Sequence, residues 1–343
     1  MKEVYPGISC FNLVKHEEYS ADSVITLYLI RTEKRSLLID TGYVECRDDL
    51  IRVLDETGIP YENLDVFLTH HHSDHCGNAR TLADRGAVMY MNPEEQRHQY
   101  DCISYRYSAG SVDAQRGVLR HVGVTEERTP DIWNIFMDIN RRVEKKHDWY
   151  LAIAGFPFRP VHEGQIFEYG DFRLKAILLR GHTYGQMGLI DEEKKLLFPA
   201  DQFINGIIPI VATTYPHEHL LYHYLNSIEE IRQKYSGWTM FPMHGKPITD
   251  AAKVCETIAG GYARKADWVY RVVEASDIPL TVKEVTEIAY GIHDIPSIHE
   301  EFVTFKMMLT KTFSILEYLT DMEVVTVEEK DGMFFYSNPA KHI

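Results

Sequence analysis

Long apolar runs are missing from this 343-residue chain, and none approaches the ~18 residues that a membrane-spanning helix needs. The first residues, Met1-Lys2-Glu3-Val4-Tyr5-Pro6-Gly7, lack the apolar core of a secretion signal. Cysteine is scarce. The five residues, at 10, 46, 76, 102 and 255, are an odd number without Cys-x-x-Cys spacing, which argues against a disulfide framework and a thiolate zinc site. A reducing, cytoplasmic setting with no membrane partner is expected. Basic residues are also short, 36 against 51 acidic ones for a net charge of −15. Phosphate backbones are bound by Lys and Arg, so nucleic acid is not an expected partner. No Gly-x-Ser-x-Gly elbow announces a serine nucleophile. Hydrophobic residues at 45% and charged ones at 25% are ordinary globular values, and the length allows one large domain with an appendage or two domains.

What is present centres on Thr69-His70-His71-His72-Ser73-Asp74-His75, directly after the strand-like run Leu64-Asp65-Val66-Phe67-Leu68. Imidazole suits zinc and similar first-row ions, and a carboxylate beside it can hold a second ion or its water. A loop at a strand's end lets His70, His72, Asp74 and His75 turn inward together. Alone, the stretch could be a solvated polar turn, because short motifs produce chance matches. Four more segments end apolar runs with suitable atoms: Asp40 in Leu37-Leu38-Ile39-Asp40-Thr41-Gly42, His182 in Arg180-Gly181-His182-Thr183, Asp201 in Phe198-Pro199-Ala200-Asp201, and His244 in Phe241-Pro242-Met243-His244-Gly245.

In that order the five motifs resemble the metallo-β-lactamase superfamily, over roughly residues 8–250. The resemblance implies an α/β fold, a four-layer αββα sandwich with metals at one edge between the sheets. It implies that His70, His72 and His182 hold one ion, that Asp74, His75 and His244 hold a second, and that Asp201 bridges them. Asp40 is implied to accept a hydrogen bond that fixes a ligand's orientation. Asp74 and Asp40 are thus the carboxylates expected to serve catalysis, while His71 should point away. Two zinc ions are the expected cofactors. Iron or manganese stays open, since some members with this ligand set are iron-dependent sulfur dioxygenases. Two ions ~3.5–4 Å apart share a water and lower its pKa towards neutrality. The resulting hydroxide can attack a carbonyl carbon or phosphorus without a protein nucleophile. His72 stands where the oxygen-reducing flavodiiron relatives are expected to carry a carboxylate, and no flavodoxin-like segment is present, so hydrolysis is favoured over redox chemistry.

Periodicity predicts strands at 8–14, 23–40 (a hairpin about Thr32-Glu33-Lys34), 64–69, 88–90, 166–168, 172–179, 187–191 and 196–198. It predicts helices at 45–57, stopped by Gly58-Ile59-Pro60, at 78–84 and at 216–235. His217 and His219 fall in the last helix. Residues two apart there face different ways, so they read as surface or core-edge histidines. Residues 92–160 depart from the sandwich pattern. Asp131–Lys146 looks helical, and the apolar run Trp149–Phe158 reads either as a packed insertion or as a lid or pocket wall.

After Pro247 come helix candidates at 250–276, 281–290 and 298–319, then β-like runs at 323–327 and 333–336 about the charged turn 328–332. That order resembles the winged-helix module of the β-lactamase-like protein 2 and polyketide-thioesterase branch. The expected domains are therefore 1–249, with the helical insertion at about 92–160, and a winged-helix-like module at 250–343. The latter holds nine Lys and Arg against sixteen Asp and Glu, the wrong balance for a nucleic-acid reader. The expected activity is metal-dependent hydrolysis of a thioester, ester or lactone in a small-molecule substrate. The alternatives are a phosphodiesterase or ribonuclease of the same fold, an iron-dependent sulfur dioxygenase, or a non-catalytic winged-helix regulator. A homo-oligomer is compatible with all of these.

Overall fold

A computed structural model describes residues 1–16, 23–95, 116–144, 155–204, 206–213, 215–292 and 299–341. The chain divides into two compact units. One comprises Met1–Ser104, Asp148–Pro209 and Glu229–Cys255, the other Tyr105–His147, Ile210–Ile228 and Glu256–Ile343.

The first unit is built on two sheets. The larger runs β1 (Lys2–Tyr5), β2 (Ile8–Lys15), β3 (Ser23–Ile30), β4 (Ser36–Ile39), β5 (Leu64–Leu68), β6 (Val88–Met91) and β7 (Phe158–Pro160), in that spatial order. Its first three pairings are antiparallel and its last three parallel. The smaller sheet has the order β12-β11-β10-β9-β8, with β8 Ile166–Tyr169, β9 Phe172–Leu178, β10 Met187–Asp191, β11 Leu196–Phe198 and β12 Thr239–Met240. Only β11 and β12 pair in parallel there.

Strands β4 and β5 are buried along their whole length, which is why they read as continuous apolar runs rather than alternating ones. The sheets interlock through aromatic rings. Tyr28 of β3 meets Phe198 of β11 at 5.5 Å, and Phe67 of β5 meets Phe167 of β8 at 5.8 Å. Asp65 is the polar exception inside β5. Its carboxylate accepts from Arg35 Nε at 3.0 Å and Tyr169 Oη at 2.8 Å, so the buried charge is paired. Helix α1 (Arg47–Thr57) ends where Gly58 turns left-handed at φ 68°, as its sequence stop signal requires. With α2 (Ser73–Cys76) and α3 (Ala79–Asp84), the unit is an α/β sandwich of two sheets.

Parallel pairing sends β4, β5 and β6 to finish at one end of the larger sheet, and β11 and β12 finish together in the smaller one. The motifs containing Asp40, His70, Asp201 and His244 each stand just beyond one of these ends.

Phe158–Pro160 closes the larger sheet beside β6, and Phe156 is 5% exposed within the hydrophobic core. A lone short apolar run cannot distinguish an edge strand from a pocket wall; here Phe156 is core. Trp149 and the remainder up to 154 lie outside the described residues. Phe156→Ala is expected to cost about 3–5 kcal/mol of stability through the cavity it opens. Activity per folded molecule should stay unchanged, as denaturant unfolding run beside turnover will check.

The second unit contains α4 (Pro130–Glu144), and the divisions at 228/229 and 255/256 fall inside α5 (Leu220–Tyr235) and α6 (Ala251–Ala275). Next come β13 (Leu280–Thr281), α7 (Val282–Tyr290), α8 (His299–Asp321), β14 (Thr326–Lys330) and β15 (Met333–Ser337). The three strands form a sheet in the order β13-β15-β14. A capping box between Thr281 and Glu284 starts α7.

Two expectations change in this unit. Strand β14 runs through Glu328-Glu329-Lys330 instead of stopping before them, and the turn is only Asp331-Gly332, with φ 52° and 73°. Two positive φ values suit a two-residue hairpin, and an exposed edge strand tolerates its charges. His217 and His219 precede α5 rather than lying on it, at φ 67° and 51°. Their backbone N–H groups donate to Glu317 at 2.6 and 3.0 Å, and burial pushes that carboxyl up to about 7. Among the described residues, no helix is long and apolar enough to cross a membrane.

Candidate metal centre

Asp40 begins the site. It follows β4 in a left-handed conformation, φ 62°, a strained region for a residue other than glycine and one that concentrates at functional sites. Its fully buried carboxylate accepts from Thr69 N at 2.8 Å, Thr69 Oγ1 at 2.9 Å and His75 Nδ1 at 2.8 Å. Thr41 N and Oγ1 both donate to His75 O, at 2.7 and 2.9 Å. The single turn α2 then carries Asp74 and His75 round to the side of His70. Gly77 makes that turn fit, because a Cβ there would lie 2.4 Å from Ser73 O and 2.5 Å from Gly42 O.

The ligand atoms converge in two groups, each able to hold a metal ion: His70, His72 and His182, and Asp74, His75, Asp201 and His244. In the first, His72 Nδ1 lies 3.0 Å from both His70 Nε2 and His182 Nε2. Tetrahedral zinc with bonds of about 2.0–2.1 Å separates its ligand atoms by about 3.4 Å, so three imidazoles this close match one ion. In the second, His75 Nε2 lies 3.5 Å from Asp74 Oδ2 and 3.4 Å from Asp201 Oδ1, and His244 Nε2 lies 3.2 Å from Asp74 Oδ2. Asp201 Oδ2 faces the other group, 3.5 Å from His182 Nε2. One carboxylate therefore presents an oxygen to each cluster.

Unsatisfied atoms test whether ions belong here. His75 Nε2 and Asp201 Oδ1 are buried with no hydrogen-bond partner, and a cation between them satisfies both. The nitrogen and oxygen donors make a binuclear metal-binding cluster suited to zinc and open to iron or manganese. The second ring nitrogens are engaged as well. His70 Nδ1 meets Thr69 Oγ1 at 3.0 Å, His75 Nδ1 donates to Asp40, and His244 Nδ1 donates to Val24 O at 2.8 Å. These contacts fix each ring's orientation.

Electrostatics divide the two groups. Burial and then the neighbouring imidazoles push His70 and His72 well below the usual histidine range, leaving neutral lone pairs. Burial opposes charge on His75 too, but Asp201, Asp74 and Asp40 outweigh it and drive its pKa well up. Burial would raise Asp201, yet His75, His182 and His244 hold it down at about 2. Three carboxylates thus converge on one imidazole, an excess of negative charge that a divalent cation neutralises.

One residue of the site is not singled out by the ligand motifs. Glu95, in the helical residues 93–95 just after β6, is fully buried, and its carboxylate accepts four hydrogen bonds. They come from His71 N at 2.8 Å, His71 Nδ1, Thr183 Oγ1 at 2.7 Å and Gly185 N at 2.6 Å. Burial would raise this carboxyl, but His71 and these hydrogen bonds hold it at about 2. His71 consequently faces Glu95 and belongs to neither ligand group. Glu95 does share the pattern of Asp40 and Asp201, an acid just past the end of an apolar strand.

The family model of the metallo-beta-lactamase superfamily matches residues 22–236. Hydroxyacylglutathione hydrolase GloC of Haemophilus influenzae is 26% identical over 179 residues, 51% of this chain and 64% of that protein. Atrochrysone carboxyl ACP thioesterase nsrC of Aspergillus novofumigatus is 23% identical over 274 residues, 77% of this chain and 65% of that one. The matches thus span a little under two thirds of each curated relative. A metallo-beta-lactamase family protein of Thermus thermophilus aligns over 98% of this chain and all of its own, with TM-score 0.73 and 21% identity. A beta-lactamase domain protein of Burkholderia ambifaria covers 98% of this chain and 92% of its own, with TM-score 0.75 and 19% identity. At these identities the two structures establish the fold alone.

Proposed function

The chain belongs to the metallo-beta-lactamase superfamily, and from that premise we propose that it is a two-metal hydrolase of a small thioester, with ester and lactone as neighbouring substrates. His70, His72 and His182 would hold one ion and Asp74, His75 and His244 the other, with Asp201 offering an oxygen to each group. Asp40 orients His75 from behind. When bound, the ions supply an activated water and polarise the scissile group. Catalysis therefore asks the protein chiefly to hold these side chains in place. The carrying observation is the split contact of Asp201, one oxygen towards each cluster.

Carbonyl chemistry is favoured by the two relatives' names, one a hydroxyacylglutathione hydrolase and the other a thioesterase. The net charge of −15 opposes a polyanionic strand. Cys10, Cys46, Cys76 and Cys255 stand outside any disulfide, which supports a reducing, cytoplasmic setting. We also infer that residues 1–249 form the catalytic domain and 250–343 a winged-helix-like module. The helix–strand–helix–helix–hairpin order of α6 to β15, with β13 beside β15, supports the module. Its acidic balance supports a packing role rather than nucleic-acid binding.

The test sets thioester, lactone and phosphodiester substrates side by side, with and without chelator. Chelator-sensitive cleavage of the thioester, at least tenfold faster than of the phosphodiester, is expected. Efficient cleavage of the phosphodiester alone defeats the substrate class and favours a phosphodiesterase.

A further inference from the structure

Each ligand group has a buried carboxylate behind it that the ions themselves would not touch. For the four-ligand group this is Asp40, bound to His75. For the three-histidine group no such residue is evident among the ligand motifs, yet its three members stand on two separate loops. His70 and His72 follow β5, and His182 follows β9. Something must hold those loops in register.

The helical residues 93–95 after β6 span them. One Glu95 oxygen, Oε2, takes the backbone and ring N–H of His71, the residue between His70 and His72. The other, Oε1, takes the Thr183 hydroxyl and the Gly185 N–H, on the loop just past His182. Neighbours strengthen the second attachment. Asn92 Nδ2 donates to Gly185 O at 2.8 Å, and Arg180 Nη2 pairs with Glu94 Oε2 at 2.9 Å. A Cβ on Gly185 would stand 2.9 Å from Glu95 Oε1, so glycine is what lets the loop close on the carboxylate.

We propose that Glu95 is a positioning residue that sets the three-histidine metal site specifically, by clamping the His70–His72 loop to the His182 loop, as Asp40 sets the second site through His75. The inference rests on the two-ion reading of the centre. Its chemistry is that of charge and reach. A carboxylate offers acceptors at both ends, and all four partners are donors. Glu95→Gln keeps the shape but turns an NH2 group towards one pair of donors, releasing one loop. Glu95→Asp keeps the charge but shortens the reach.

The experiment reads zinc occupancy at each site separately, by anomalous scattering from crystals of the full-length protein equilibrated with graded chelator. Wild-type protein is expected to fill both sites. Glu95→Gln should weaken zinc at His70, His72 and His182 by about 10–100-fold, the usual scale for lost outer-shell support, and leave the other site within threefold. Asp40→Asn should do the reverse. Thr183→Val removes one of the four donors without touching the buried acid, so it is the second variant should Glu95→Gln fold poorly. It should move the same site in the same direction by a smaller factor. Equal weakening of both sites in the Glu95 or Thr183 variants, or no change in either, overturns the assignment and makes Glu95 a general fold element. Wild-type protein that binds one ion or none overturns the two-ion reading and this inference with it.

Discussion

Asp201→Ala is expected to lower kcat/KM on a thioester by on the order of 10³-fold, about 4 kcal/mol of transition-state stabilisation. The side chain is 6% exposed and stands between the clusters, with Oδ1 3.4 Å from His75 and Oδ2 3.5 Å from His182. Alanine removes the carboxylate that presents one oxygen to each ligand group. It also removes one of the three carboxylates that raise His75. The fold should survive, because Oδ1 makes no hydrogen bond that holds backbone in place. Neighbouring Phe198 and Phe241, stacked at 5.4 Å, do not depend on the carboxylate. Thermal unfolding of metal-free protein should therefore differ little between variant and wild type while turnover collapses. A large loss of stability in the variant would place Asp201 among the structural residues instead.

Metal removal itself should produce the largest change in stability. Stripping both ions leaves seven ligand side chains without a cation, with His75 Nε2 and Asp201 Oδ1 buried and unsatisfied. A ligand present at a thousand times its Kd stabilises the folded state by about 4 kcal/mol. For a domain of this size each kcal/mol moves Tm by about 2–4 °C, so one such ion is worth roughly 8–16 °C. Melting of chelated and zinc-loaded protein, with Asp201→Ala beside them, checks this. The variant should lose most of the difference, because that carboxylate presents an oxygen to each ligand group. Equal melting temperatures with and without metal would mean that zinc does not occupy the centre tightly.

Most of the site is legible in the sequence for a physical reason. Strands β4 and β5 are covered on both faces and so appear as mostly apolar runs without alternation, Ser36 and Asp65 excepted. Polar ligands placed just beyond such runs stand out, as Asp40 and His70 do. Glu95 is harder to see. It sits within Asn92-Pro93-Glu94-Glu95, where two adjacent acids look like an ordinary charged turn, and only the fold shows that one pairs outwardly with Arg180 while the other is fully buried. Phe156 and β7 are hidden for a different reason. Their place in the larger sheet comes from pairing with β6, more than sixty residues earlier, and a three-residue strand leaves no periodic signature. His217 and His219 show the limit of helical spacing arguments. Glu317, a hundred residues away, anchors their turn and delays the helix to Leu220.

The most direct measurement is thioester turnover by the full-length protein, stripped of metal and titrated with zinc, with bound metal counted by elemental analysis at each point. Turnover should start near background and reach its plateau at two zinc ions per chain. Full turnover by protein shown to hold no metal contradicts a two-ion hydrolase.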